Sequence, residues 1–218
     1  MIGITFEELS DDFGWSPMIR MTSSEVTWTH PALSRILDLI PTEATSLLDI
    51  GCGRGIVGAL CRIYRACRRL VGVDIYRPYL EFCRLHALYD ELVEWDLRET
   101  PLPFRTAEFD VATAIEVVEH LEKSEGDALL YELERVARTV IVTTPNRFFQ
   151  QKAYDGNEWQ RHRSIWSARE LRARGYVVIG AGGLLIAGRR IRGVSTLFQG
   201  FSRLMPGSAE FLLAVKRG

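Results

Sequence analysis

LLDIGCGRGIVGAL, Leu47–Leu60, is the stretch that decides the fold. An apolar run halts at an acid, Asp49. Glycines then occupy alternate positions (Gly51, Gly53, Gly55), and an apolar run resumes. The order reads as strand, tight loop, helix. Glycine allows backbone conformations closed to other residues and lets a ligand approach the chain closely. The helix start beyond it offers free N–H groups. Dinucleotide-binding folds carry GxGxxG here, with a pyrophosphate over the helix start. In this chain the third glycine comes one residue early and Ile56 holds the fingerprint position. That argues against a pyrophosphate ligand and leaves a nicotinamide dehydrogenase as the lesser reading.

Working outward, LVGVD (Leu70–Asp74) is a second strand that again ends in an acid. A carboxylate there can accept two hydrogen bonds from a ribose diol; a cap on the helix beginning at Arg77 is the plainer alternative. The spacing predicts strands at Ser46–Ile50, Leu92–Trp95, Asp110–Glu116 and Thr139–Thr144. It predicts helices over Pro31–Ile40, Gly55–Arg69, Arg77–Tyr89 and Ser124–Arg138. Strands and helices alternating at this pace mean right-handed βαβ units and a mostly parallel sheet covered on both faces. After Asn146 the rhythm breaks. Residues 146–165 form a polar, aromatic loop of a length usually kept for function. SARE (Ser167–Glu170) reads as a capping box opening a short helix. Tyr176–Gly180 is a sixth strand, residues 183–207 a glycine-punctuated insertion, and Glu210–Lys216 a final strand.

At 218 residues and 47% hydrophobic, the chain can build one large domain with a sizeable core. The absence of a basic start followed by an apolar core in residues 1–30 suggests a cytoplasmic protein without a secretory signal. Its four cysteines (Cys52, Cys61, Cys67, Cys83) form no CxxC pair and read as reduced, mostly buried thiols. The net charge of −1 conceals an asymmetry. Residues 1–146 hold 14 Lys+Arg against 24 Asp+Glu; residues 147–218 hold 13 against 4. A basic second half suits an anionic acceptor.

Taken together, DIGCGRG, VGVD, Asp96 after the third strand, and DVATAIEVVEHL at the fourth resemble the class I S-adenosylmethionine-dependent methyltransferases, over about residues 31–180. The resemblance implies a doubly wound, Rossmann-like α/β fold. Its seven-stranded, mostly parallel sheet would have the order 3-2-1-4-5-7-6, the last strand antiparallel. It implies one domain over residues 1–218: an arm at 1–30, a donor-binding half at 31–145, and an acceptor-side half at 146–218 with insertions at 146–165 and 183–207. It implies S-adenosylmethionine as cofactor. Gly51, Cys52, Gly53 and Gly55 would surround its methionine part, with Asp49 ordering the loop. Asp74 and Ile75 would meet the ribose, Asp96 and Leu97 the adenine, and Glu116 would line the transfer cleft. A donor with a sulfonium, an ammonium and no phosphate also suits an acidic half-domain.

Glu116, Glu119 and His120 spell ExxEH. In a helical turn they share a face. Two carboxylates and an imidazole could hold a divalent cation, or His120 could act as general base. His162 is a second candidate. The set Glu116, Glu119, His120, Thr144–Pro145–Asn146, His162 and Trp166 resembles small-RNA 3′-end 2′-O-methyltransferases, whose two Glu and two His hold a magnesium-type ion. ExxEHL occurs equally in ubiquinone-pathway-like small-molecule O-methyltransferases. The fuller RNA-family signature is missing around His162, where Arg161, Arg163 and Ser164 stand. The leading expectation is therefore methyl transfer to a small or lipid-like acceptor, anionic ones included, without a metal. RNA ribose with a metal at Glu116, Glu119, His120 and His162 is the alternative, and a non-catalytic donor-binding module the rival from another class. Trp159 and Trp166 read as loop anchors. Gly188–Gly193, with Leu197, Phe198, Phe201 and Leu204, reads as a flap over the acceptor.

Overall fold

A computed structural model describes residues 30, 32–65, 67–147, 151, 153, 156–186, 189–190 and 205–218. Residues 1–29 of the arm, Pro31, and residues 188 and 191–204 of the expected flap lie outside this set, as do several positions of the 146–165 loop.

The chain opens with α1 (Leu33–Leu39), then alternates β1 (Ser46–Ile50), α2 (Ile56–Tyr64), β2 (Arg69–Asp74), α3 (Arg77–Leu85), β3 (Glu91–Glu94) and β4 (Phe109–Ile115). There follow α4 (Lys123–Val136), β5 (Ala137–Pro145), α5 (Ala168–Ala173), β6 (Val177–Ile186), β7 (Arg189–Arg190) and β8 (Ala209–Arg217). The sheet order is β3-β2-β1-β4-β5-β8-β6-β7. The seven long strands thus stand in the expected 3-2-1-4-5-7-6 arrangement. The final strand, β8, is antiparallel to both β5 and β6. A two-residue eighth strand, β7, adds a short antiparallel ribbon at the edge beyond β6.

Two cores clothe the sheet. On one face Ile36 of α1, Val57 and Cys61 of α2, and Leu80 and Cys83 of α3 pack with Leu47 and Leu70. On the other, Leu129 and Leu133 of α4 and Leu171 of α5 pack with Leu48, Val71 and Trp166. Burying each such side chain contributes about 1.5–3 kcal/mol. All four cysteines are free, three of them buried.

Several boundaries differ from the sequence reading, for local reasons. Helix α3 ends at Leu85 rather than Tyr89, because Ala87 turns left-handed (φ 51°) and releases Tyr89 to point beneath the glycine loop. Strand β6 runs on past Gly180 through a bulge between Ala181 and Leu184, helped by Gly182 at φ 82°. The SARE box forms as read: Ser167 Oγ accepts from the Glu170 N–H, and the Glu170 carboxylate accepts from the Ser167 N–H. No helix among the described residues is long and apolar enough to cross a membrane.

β1 lies between β2 and β4, so the connections leave it in opposite directions. At such a switch point the carboxyl ends of the strands open a crevice. Asp49, Asp74 and Glu116 all stand at that edge.

Candidate active site

Gly51, Gly53 and Gly55 adopt φ of 64°, 52° and 79°, left-handed in every case. Two of them are also glycine for want of room. A Cβ on Gly51 would stand 2.5 Å from Val117 Cγ2, and one on Gly55 2.6 Å from Leu88 Cδ1. Gly53 is different: among the described residues, a Cβ there would meet only the Gly51 carbonyl oxygen, 4.0 Å away. Its outer face is open space in which a ligand can sit against the backbone.

The loop is tied to the tip of β2. The Cys52 N–H donates to the Val73 carbonyl at 2.9 Å, and the Gly53 N–H to Asp74 Oδ2 at 2.9 Å. Asp74 Oδ1 accepts from the Tyr76 N–H at 2.9 Å. Asp74 is 9% exposed; burial raises its proton affinity, and the backbone donors oppose that. Ile75 is half-buried beside it. Asp49 does not line the open space. It lies beneath the loop, accepting from the Tyr89 hydroxyl (2.6 Å) and the Thr113 hydroxyl (2.7 Å), while Tyr89 accepts from the Gly58 N–H of α2 (3.2 Å). Burial pushes Asp49 up to about 6.

Asp96 follows β3, and Leu97 packs partly buried against the adjoining core. Both Asp96 oxygens are engaged by Arg98, with Nε 3.0 Å from each and Nη2 2.5 Å from Oδ2. This pairing lowers the Asp96 pKa. The Arg98 guanidinium in turn lies over Trp159, 4.4 Å from the ring centroid.

Across the crevice, Glu116 ends β4 at φ 55°. That costs a residue bearing a Cβ about 1–2 kcal/mol. Its N–H donates to both the carbonyl and the hydroxyl of Thr143 on β5. The following residues wind into a single 3-10 turn, Val118–His120, and not into the start of a longer helix. Glu119 is 2% exposed, and neither of its carboxylate oxygens has a hydrogen-bond partner among the described residues. Burial, then the charge of Glu116, hold its proton affinity well above the ordinary carboxylate value. The Thr144 hydroxyl is near enough to weaken this effect but not in hydrogen-bonding geometry.

The loop after β5 returns to this turn. Arg163 N–H and Ser164 N–H both donate to the Glu119 carbonyl, at 2.8 and 3.1 Å. Trp166, 1% exposed, donates from Nε1 to the Val118 carbonyl and fills the space left by Gly126. Trp166 is the anchor the sequence suggested. It brings the His162 ring to 4.9 Å from that of His120, edge to face. Glu119, His120 and His162 each offer one ligand atom, all within 4.8 Å of one another. His120 Nδ1 lies 3.3 Å from the Arg161 carbonyl, so its Nδ1–H donates there and Nε2 keeps its lone pair. Burial, then the neighbouring His162, lower His120 to about 4. Asn146 stands apart from this group: its Nδ2 ties β5 to the carbonyls of Pro206 and Ala209.

Sequence reasoning missed His30, which is buried in the same cleft. Its Nδ1 accepts from the Ala32 N–H, and its Nε2 stands 3.3 Å from Glu116 Oε1, with the ring against Phe211. Tyr89 and Thr113, the supports of Asp49, were missed as well. A lone Thr in the apolar run of β4 was the available signal for the second.

Known proteins match this chain over its donor-binding half. Residues 48–139 match the family model described as a methyltransferase domain. Over this part the chain resembles the class I S-adenosylmethionine-dependent methyltransferase superfamily. The donor of this methyltransferase superfamily is S-adenosylmethionine. The chain is 37% identical over 89 residues to the ubiquinone biosynthesis O-methyltransferase of Bartonella quintana, covering 39% of this chain and 34% of that one. It is 28% identical over 119 residues to the mitochondrial counterpart from Candida albicans, covering 51% and 36%. The chain thus spans about a third of the length of these relatives. Among solved structures, it matches the PH0226 protein from Pyrococcus horikoshii over 99% of both chains (TM-score 0.60, 18% identity). It also matches the methyltransferase domain of bacterial CtHen1 over 85% of this chain and 96% of that one (TM-score 0.56, 24% identity). These two likenesses concern the methyltransferase fold alone.

Proposed function

We propose that this chain transfers a methyl group from S-adenosylmethionine to a small or lipid-like acceptor, anionic acceptors included. The observation that carries the reading is the open face of Gly53 beside the buried Asp74, with a polar cleft a short step away at the tip of β4. The ubiquinone-pathway relatives, named as O-methyltransferases, support an oxygen acceptor.

When bound, S-adenosylmethionine supplies a methyl on a sulfonium sulfur; the acceptor–methyl bond forms as the sulfur–methyl bond breaks, and the acceptor's proton leaves. The electrophile is already activated, so the protein's share is mostly positioning. Asp74 accepts from the ribose hydroxyls, Asp96 from the adenine amino group, and Asp49 stiffens the loop from below through Tyr89. Of the cleft groups, His120 has the weaker claim to the proton: a group held at about 4 stores one poorly at neutral pH. Glu119, with its raised proton affinity, is the better acceptor above its own titration point. Conversion of S-adenosylmethionine to S-adenosylhomocysteine by the chain in the presence of fractionated cell extract tests the reading. Binding without conversion in any fraction would support the non-catalytic module instead.

A second reading, metal-dependent 2′-O-methylation at an RNA 3′ end, draws on one specific observation. Glu119 presents two unpaired oxygens to His120 and His162, and His120 is neutral, as a ligand must be. These residues fit a divalent cation, which would lower the pKa of a sugar hydroxyl. Methyl transfer to an RNA duplex with a free 3′ end, with and without chelator, separates the two.

A further inference from the structure

We infer that Arg98 and Trp159 are donor-retaining residues: they form a clasp over the adenine edge and carry the acceptor-side segment with them. The inference rests on the donor reading above and extends it to two residues outside the methyltransferase motifs.

The clasp is built from two distant pieces of chain. Trp159 sits in a 3-10 turn, Glu158–Gln160, that Asn157 caps by accepting from the Trp159 N–H at 3.0 Å. Asn157 is itself 2% exposed, so the turn is fixed rather than free to drift. The same turn holds an ion pair between Glu158 and Arg161 at 2.7 Å. One end of this short segment lies over the donor side. A Cβ on Gly156 would stand 3.8 Å from the Tyr76 hydroxyl, two residues beyond Asp74, and the Trp159 ring covers Arg98. The other end is bound to the acceptor cleft through Arg161, Arg163 and Ser164, with His162 between them. The segment therefore spans the crevice from the ribose and adenine edge to Glu119.

The chemistry at Asp96 accommodates this. A carboxylate accepts about four hydrogen bonds. Arg98 fills these sites, but it does so by sharing Nε between Oδ1 and Oδ2, at 3.0 Å each. When an amino group takes the place of the Nε contact to Oδ1, Arg98 stays on Oδ2 through Nε and Nη2. The guanidinium then remains stacked on Trp159 while Asp96 turns one oxygen to the adenine. The stack thus keeps Arg98 on Oδ2 and holds the Asp96 carboxylate in place for the adenine; without it Asp96 loses that support and the nucleoside leaves faster. An exposed cation–π contact of this type corresponds to about two- to fivefold in a rate or equilibrium constant.

Surface plasmon resonance of S-adenosylhomocysteine over the immobilised chain tests this. The dissociation rate constant should rise about two- to fivefold in both Trp159→Ala and Arg98→Ala. Arg98→Lys keeps a cation beside Asp96 but cannot stack flat on an indole, so it should release as fast as Arg98→Ala. In hydrogen exchange, residues 156–163 should be protected by S-adenosylhomocysteine in the wild type and not in Trp159→Ala. Should Trp159→Ala melt well below the wild type, the exposed Arg98 pair of variants carries the test alone. Release at the wild-type rate from all variants overturns the clasp and leaves the donor reading standing. Absence of any binding to the wild type overturns both.

Discussion

The rings of His120 and His162 meet edge to face at 4.9 Å, although forty-two residues separate them. The meeting is enforced from outside the pair. Trp166 is buried beneath the 3-10 turn that carries His120, and the Glu119 carbonyl takes two backbone N–H bonds from the returning loop. A polar cleft of two imidazoles and a buried carboxylate is thereby held rigid before any ligand arrives, which is the preorganisation a positioning catalyst needs.

Gly51 and Gly53 should respond differently to substitution. Gly51→Ala forces a methyl group into Val117, on top of a left-handed φ of 64°. It should lower stability by about 2–4 kcal/mol, the sum of backbone strain and overpacking. Gly53→Ala incurs the backbone strain alone, about 1–2 kcal/mol. Gly53→Val should in addition abolish S-adenosylmethionine binding by filling the open face. Thermal melts and titration calorimetry on the three variants check this; normal donor binding by Gly53→Val refutes the placement of the ligand.

Asp49 links folding to pH. Unfolded, it titrates near 3.8; folded, at about 6. Between these values only the folded chain keeps the proton, so the Asp49 contribution to stability falls by about 3 kcal/mol as pH rises from 4 to 6. His120, lowered from 6.5 to about 4, runs the other way: its contribution is full above pH 6.5 and is lost as pH falls toward 4. The two nearly cancel in the wild type. Asp49→Asn keeps the Tyr89 bond and removes one of them. It should stabilise the ligand-free chain at pH 7, and this gain over the wild type should shrink to nothing as pH falls from 6 toward 4. Denaturant unfolding from pH 4 to 7.5 reads both effects.

The Glu119 oxygens, unpaired among the described residues, make the metal-dependent reading testable. If the second reading holds, Mn²⁺ followed by electron paramagnetic resonance should bind the wild type, and Glu119→Gln and His162→Asn should each weaken it at least tenfold, since each removes a ligand atom outright. Equal, weak binding by all three removes the metal-dependent reading and leaves the small-molecule one intact.

His30 gives a fourth test. Its loss removes the acceptor of the Ala32 N–H and the imidazole beside the half-buried Glu116 carboxylate. His30→Ala should therefore cost about 1–3 kcal/mol of stability. His30→Asn, which can still accept from Ala32, should recover part of it. A melt unchanged in His30→Ala shows that the arm is not anchored there.

The donor half was legible in the sequence because its signals are local. Left-handed glycines, an acid closing each strand and the capping box at Ser167 are properties of a few adjacent residues. The switch-point fold followed from their order. What escaped was non-local. His30 stands in thirty residues without a hydrophobic period, so nothing marked it as buried. Tyr89 looked like the last turn of a helix, and only the left-handed Ala87 frees it to reach Asp49. Trp159 and Arg98 come from two loops whose mutual approach no spacing rule encodes. Gly180 read as a strand end because glycines usually punctuate, whereas here a bulge carries the strand onward.

The central claim is that a sulfonium nucleoside lies across the first crossover with its ribose on Asp74. Calorimetric titration of S-adenosylmethionine into the wild type and Asp74→Ala tests it most directly. The account predicts saturable binding to the wild type, weakened by about 1–3 kcal/mol in the variant, the scale of a lost charge-assisted pair of hydrogen bonds. Equal affinity in the two proteins, or binding of NADH with none of S-adenosylmethionine, would contradict it.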